Sequence, residues 1–174
     1  MQIRTVTIYT GAKIRVPEHV QRIDTGSTHG WQMRYGQPTM FFSDSSASNG
    51  SPREALKLVL VALRKRISKL PAPTGLQRAA SSNKQNGLPV GISGPITRTR
   101  PGRKSAEYRF SVNLPVFGLK PVRRTVYIGS DSTYNDERYK EALKRAIEMR
   151  KEAEDAYQKA ATKSKRRDAA KIAA

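Results

Sequence analysis

The sequence contains no cysteine. That excludes disulfides and thiol nucleophiles, and it argues against a zinc finger, whose metal is held by thiolates. Histidine is nearly as scarce. His19 and His29 are the only two, and the acids near them are Glu18 and Asp24. So sparse a set does not predict a metal centre, and no cofactor is expected. Long apolar runs are also missing. The longest lies near Leu56 to Leu63, too short and too interrupted to span a membrane. The opening "MQIRTVTIYT" alternates like a strand and has no apolar signal-peptide core. These absences predict a soluble, intracellular protein.

The parts of a catalytic site are lacking as well. The glycines of "TGSTHG" are not followed by Lys-Ser or Lys-Thr at a helix start, so there is no phosphate-binding loop. Tyr108, Tyr127, Tyr134 or Tyr139 would act as a recombinase nucleophile only inside a large arginine-histidine pocket, which a domain this small cannot enclose. The chain is therefore not expected to be an enzyme.

What the sequence has in excess is positive charge. Lys plus Arg number 33 against 14 Asp plus Glu, a net charge of +19 over 174 residues. Residues before Leu88 carry 13 basic and 4 acidic side chains, and the rest carry 20 and 10. Neither part is a basic tail on a neutral domain. A polyanionic partner, nucleic acid first, is expected.

The chain also repeats itself. "FFSDSSASNGSPREAL" starts at Phe41 and "YIGSDSTYNDERYKEAL" starts at Tyr127. An offset of 87 residues matches Ser43-Asp44-Ser45 to Ser130-Asp131-Ser132 and Glu54-Ala55-Leu56 to Glu141-Ala142-Leu143 without a gap. Upstream the offset shrinks. Trp31 to Tyr35 matches Tyr108 to Val112, and Val16 to Val20 matches Leu88 to Ile92, if the second copy has longer turns.

In the second copy Tyr108, Phe110, Val112 and Leu114 alternate with Arg109, Ser111 and Asn113, which predicts a strand with one apolar face. "RRTVYIG" reads as another strand, and "GISGPITRTRPGRKS" supplies a first strand and a basic turn. Three such strands need a cover. It follows from Asn135, an N-cap candidate, in a helix with Ala142, Leu143, Ala146, Ile147, Met149 and Ala153 at helical spacing. In the first copy Ser51-Pro52-Arg53-Glu54 reads as a capping box. The stripe behind it is Leu56, Val59, Leu60, Leu63 and Ile67. Leu58 and Val61 fall off that stripe, so this helix is expected to pack on a second surface as well, and a homodimer through Leu56–Ile67 is one candidate. Trp31 and Tyr35 are expected in the core, and "IRTVTIY" as an extra strand.

These readings give an α+β fold of two tandem modules, each a three-stranded antiparallel sheet packed on one α-helix. The first module spans residues 1–70, a flexible linker 71–87, the second module 88–162 and a frayed basic tail 163–174.

The second copy, with "LPVGIS", "YRFSVNL", "TVYIG" and a helix containing "EALKRAIEMR", resembles the APETALA-type domain of plant ethylene-response factors and its phage and bacterial relatives. The likeness covers Leu88 to Tyr157. The first copy is a divergent repeat, with "PEHVQR" in place of the glycine-containing start. The resemblance implies that the open sheet face enters the major groove of DNA. Carried onto this chain, the outward set is Arg98, Arg100, Arg109, Ser111, Asn113, Arg123 and Tyr127. Arg103, Lys104 and Arg124 at turns are expected to contact phosphates. Residue chemistry selects much the same set, since Arg bridges guanine, Asn pairs with adenine and Ser suits phosphates. In the first copy the corresponding residues are Arg22, Gln32 and Arg34.

The expected function is that of a double-stranded DNA-binding protein, a transcriptional or genome-associated regulator of a phage or bacterium acting at the nucleoid in the cytoplasm. An RNA-binding or ribosome-associated protein is one alternative. The other is a phage protein that binds a host protein or nucleoprotein complex. The few exposed sheet aromatics favour DNA over RNA.

Overall fold

The computed structural model describes residues 1–46, 50–80, 82–99, 101–102 and 104–171. The chain is α+β, with antiparallel sheets throughout. Its strands are β1 (Ile3–Thr7), β2 (Lys13–Pro17), β3 (Val20–Thr25), β4 (Thr28–Met33), β5 (Met40–Ser43), β6 (Ile92–Thr99), β7 (Ala106–Leu114) and β8 (Val122–Ser130). Its α-helices are α1 (Pro52–Lys69) and α2 (Asp136–Ala170). The strands form a two-stranded sheet, β1-β2, and two three-stranded sheets, β3-β4-β5 and β6-β7-β8. The chain divides into two compact units. One is residues 1–73 with the chain from Ala161 onward, and the other is Thr74–Ala160.

The first unit is built on α1. Leu56, Val59, Leu63 and Ile67 recur on one stripe and are fully or nearly buried against Val16, Val20, Trp31, Met33 and Tyr35. Ser51 has the extended backbone of an N-cap, but its side chain makes no capping bond. The Trp31 indole N–H donates to the Pro52 carbonyl at 2.8 Å, tying β4 to the first turn of α1. Leu58 and Val61 remain 51% and 63% exposed, between the exposed Lys57 and Lys65. The N-terminal strand has a partner in β2, and together they make a separate hairpin rather than a fourth strand of the module sheet.

Residues 163–171, read from sequence as a frayed tail, are helical to Ala170. The alanines there allow close packing, and Ala169 joins the core of the first unit. Charges secure the same segment. Lys165 bonds Glu18 at 2.6 Å, and Asp168 receives the N-terminal ammonium at 2.5 Å. Burial alone would raise the Glu18 carboxyl, but the Lys165 ammonium outweighs it and holds the group below its ordinary value.

The second unit has a simpler core. Ile92, Phe110, Val112, Val126 and Ile128 line one face of the β6-β7-β8 sheet, and Ala142 and Ala146 of α2 cover them. The expected N-cap forms, with the Arg138 N–H donating to Asn135 Oδ1 at 2.8 Å. Ile147, expected in the buried stripe, is 40% exposed.

The two units agree in register. Ser43 and Ser130 each end a third strand, and Ala55, Val59, Ala142 and Ala146 are all buried at the offset of 87. Counted from the third strand, Trp31 does match Tyr108: one faces Phe42 and the other Gly129. Counted from the first strand, Met33 faces Val20 as Val112 faces Ile92, which puts Trp31 in the place of Phe110. The extra residues of the second sheet sit in irregularities at Ser93/Ile96 and Tyr108/Arg109.

Candidate nucleic-acid interface

The open face of the second sheet follows from strand alternation. Phe110 and Val112 point to the helix, so Arg109, Ser111 and Asn113 point away from it. Their cross-strand partners share that face. Tyr127 stands opposite Arg109, Thr125 opposite Ser111 and Arg123 opposite Asn113. On the other side Ile96 stands opposite Arg109 and Arg98 opposite Glu107. The structure therefore brings Arg98, Arg109, Ser111, Asn113, Arg123 and Tyr127 onto one surface. Lys104 is exposed in the β6–β7 turn. Arg100 and Arg103 lie outside the described residues. Arg124 stands opposite Val112, so it belongs to the helix-side face, although it is exposed.

Arg109 is held in place. Its Nη2 bonds Glu107 at 2.5 Å, and its guanidinium carbon is 5.8 Å from the Tyr127 ring centroid. Its Nε is buried without a hydrogen-bond partner. Ile96 and Tyr127 flank it in one cross-strand row, each 47% exposed. A cation between an aliphatic and an aromatic group loses little freedom on meeting a base edge. From behind, Arg150 of α2 donates to the Asn113 carbonyl and pairs with Glu154 at 2.5 Å. From sequence, Thr125 falls on the face of Tyr127, opposite Val126 and Ile128, without entering the contact set, while Ile96 and Glu107 go unnoticed. Alternation from Arg109 locates Glu107, but the irregularity between Ser93 and Ile96 breaks the period that would locate Ile96.

The first unit does not repeat this surface. Gln32 is half-buried on the outer face, and Arg34 just past β4 is exposed and donates to Gln32 Oε1 at 2.6 Å. Arg22 is not on the outer face at all. It shares the parity of Val20 and is buried, with an exposure of 9%. The Asp44 carboxylate receives two of its N–H groups at 2.9 and 2.6 Å, and Asp24 receives its Nε–H at 2.9 Å. The guanidinium carbon lies 5.0 Å from the Trp31 ring and 5.7 Å from Tyr9. Burial would lower the Arg22 pKa, but Asp44 and then Asp24 outweigh it and push it up. The expectation that Arg22 lies on the outer face is corrected: its guanidinium is buried between two carboxylates and two rings, where a phosphate cannot reach it.

The two histidines do not meet. His29 Nδ1 is 2.9 Å from Asp24, and its ring stacks on Tyr9 with centroids 4.2 Å apart. His19 packs edge-on against Tyr35. Among the described residues no cluster of acids and histidines could hold a metal ion, and no helix is long and apolar enough to cross a membrane.

No protein-family model, curated protein or solved structure matches the chain.

Proposed function

We propose that the chain is a double-stranded DNA-binding protein that reads the major groove with the open face of the β6-β7-β8 sheet. One observation carries this reading. Three arginines, an asparagine, a serine and a tyrosine, separated in sequence by up to 29 residues, share one solvent-facing surface. Arginine and asparagine match the edges of guanine and adenine. The net charge of +19 adds the sequence-independent attraction. The surface exposes one aromatic ring among its cations and amides, fewer than single-stranded RNA platforms use.

In this reading the two units are diverged copies of one sheet-plus-helix module, and the second resembles the APETALA-type domain. Their matching register supports a duplication. The second copy contacts DNA in the cytoplasm of a bacterium or infected host, and the first, with Gln32 in the place of Arg109, lacks that arginine. A second copy of the chain on α1 would cover Leu58 and Val61 but would set Lys57 and Lys65 against their equals, so we do not assign dimerisation to that face.

Fluorescence anisotropy with random duplex DNA, single-stranded DNA and duplex RNA, each at several salt concentrations, tests the assignment. Duplex DNA is expected to bind most tightly with a steep salt slope, and Arg109→Ala/Asn113→Ala is expected to lose most of that binding. A stronger response to either other nucleic acid, or an unaffected double variant, would overturn it.

A further inference from the structure

The first unit shows what the carboxylate after the third strand can hold. Asp44 follows Ser43 and receives the Arg22 guanidinium, which lies over Trp31. Arg22 comes two residues after Val20, the start of the first strand of its sheet. The second unit keeps this framework and lacks the cation. Asp131 follows Ser130 at the matching position, and Tyr108 stands opposite Gly129 as Trp31 stands opposite Phe42. Two residues after Ile92, where the first unit has its arginine, there is Gly94.

A pocket of about 370 Å³ opens beside Asp131 and Tyr108, lined by these two with Pro95, Thr97 and Tyr134. The Tyr108 and Tyr134 rings meet edge to face, with centroids 5.0 Å apart. Asp131 is fixed in orientation: Oδ2 accepts the Ala106 N–H at 2.7 Å and Oδ1 accepts the Tyr108 hydroxyl at 2.9 Å. One lone-pair direction on each oxygen is left over. These same bonds hold its carboxyl below the ordinary value, so the group is charged at neutral pH. None of the lining side chains is a cation.

We propose that this pocket is a receptor for the guanidinium group of an arginine presented by a partner protein. The planar fork suits a fixed carboxylate, and its faces suit tyrosine rings. The filled counterpart in the first unit supplies the template. An arginine within a protein chain fits better than the free amino acid, because no basic group lines the pocket to pair an α-carboxylate.

The test is an NMR titration of the ¹⁵N-labelled full chain at constant ionic strength. N-acetyl-arginine amide is the probe, with N-acetyl-lysine amide, free arginine and sodium chloride as matched additions. Saturable shifts at Tyr108, Asp131 and Tyr134 with the blocked arginine are expected, with none at Asp44, whose site is filled. The shifts should vanish in Asp131→Asn. Asp131 also holds the Ala106 N–H, so Tyr134→Ala, which removes only a partly exposed ring, serves as a second variant and should weaken binding several-fold. Equal shifts with the lysine derivative or with salt, tighter binding of free arginine, or full binding by both variants would overturn the proposal.

Discussion

His19 and Gly91 turn the same corner at the entry to their sheets. Their φ angles are 70° and 77°. Each carbonyl accepts an N–H at 2.7 Å from the far end of the neighbouring strand, from Arg34 just past β4 in one case and from Asn113, one residue before the end of β7, in the other. Left-handed backbone is open to glycine and costs a residue with a Cβ about 1 kcal/mol. His19 accepts that cost while its ring packs on Tyr35, with centroids 5.1 Å apart.

Replacing His19 therefore separates two opposed effects. His19→Gly relieves the backbone and loses the ring contact, so its stability should stay within about 1 kcal/mol of wild type. His19→Val keeps the backbone demand with a β-branched side chain, and should cost about 2 kcal/mol. Urea unfolding of both variants reads the difference.

The Arg22–Asp44 pair gives a larger effect. Their side chains are 4% and 5% exposed. Removing Arg22 strands the buried Asp44 carboxylate, so Arg22→Ala should cost about 3–5 kcal/mol, whereas Asp44→Ala leaves the guanidinium paired with Asp24 and should cost less. The double variant should cost less than the sum of the two, because neither charge is then stranded. A double-mutant cycle by chemical denaturation checks this. A cost near that of an exposed pair, below about 1 kcal/mol, would contradict the enclosed geometry.

Much of this fold was legible because its signals are local. Alternation around Phe110 and Val112 set the open face, and the spacing of Leu56, Val59, Leu63 and Ile67 set the buried stripe of α1. The misreadings involve pairings distant in sequence. The charge of Arg22 favours the outer face, although its parity with Val20 points inward. Its partner, Asp44, lies 22 residues away. The Ser51-Pro52-Arg53-Glu54 motif predicts a capping box, but the Ser51 side chain makes no capping bond, and the contact that fixes the start of α1 to the sheet is the Trp31 indole N–H on the Pro52 carbonyl. The end of α2 looked like a solvated tail because its lysines and arginines outnumber its apolar residues. Ala169 and the Lys165–Glu18 pair anchor it across distances that no periodicity reports.

Acid should weaken the first unit in two stages. Burial lowers the His19 pKa, and nearby Lys165 adds to this against the pull of Glu18, so the unfolded chain takes up that proton first. The stability that depends on neutral His19 is fully present above its ordinary value of 6.5 and falls as pH drops through the folded value. Asp24 and Glu18 also have lowered pKa values. Burial opposes the shift, but Arg22 and His29 outweigh it at Asp24, and Lys165 at Glu18. Their contribution is present above the ordinary 3.8 and 4.5 and is lost as pH falls through the lower folded values. Thermal unfolding across this range should show both steps. His19→Asn, which tolerates the left-handed turn, should remove the first step and leave the second.

The sheet face makes a prediction that its back does not share. Arg98 and Arg123 lie on the open surface, while Arg124, next in sequence to Arg123, lies on the helix-side face. If DNA meets the open face, Arg98→Ala and Arg123→Ala should each flatten the dependence of log affinity on log salt by about one unit, the signature of one lost phosphate contact. Arg124→Ala removes the same charge from the same strand, and should leave that slope unchanged. Arg109 should behave differently from all three. Its guanidinium bonds Glu107 and lies over Tyr127, a geometry that lysine cannot reproduce. Arg109→Lys keeps the charge, so it should preserve the salt slope while losing about 1–3 kcal/mol against a preferred duplex and little against random DNA. Equal effects at Arg123 and Arg124 would mean that bulk charge, and not the face, governs binding.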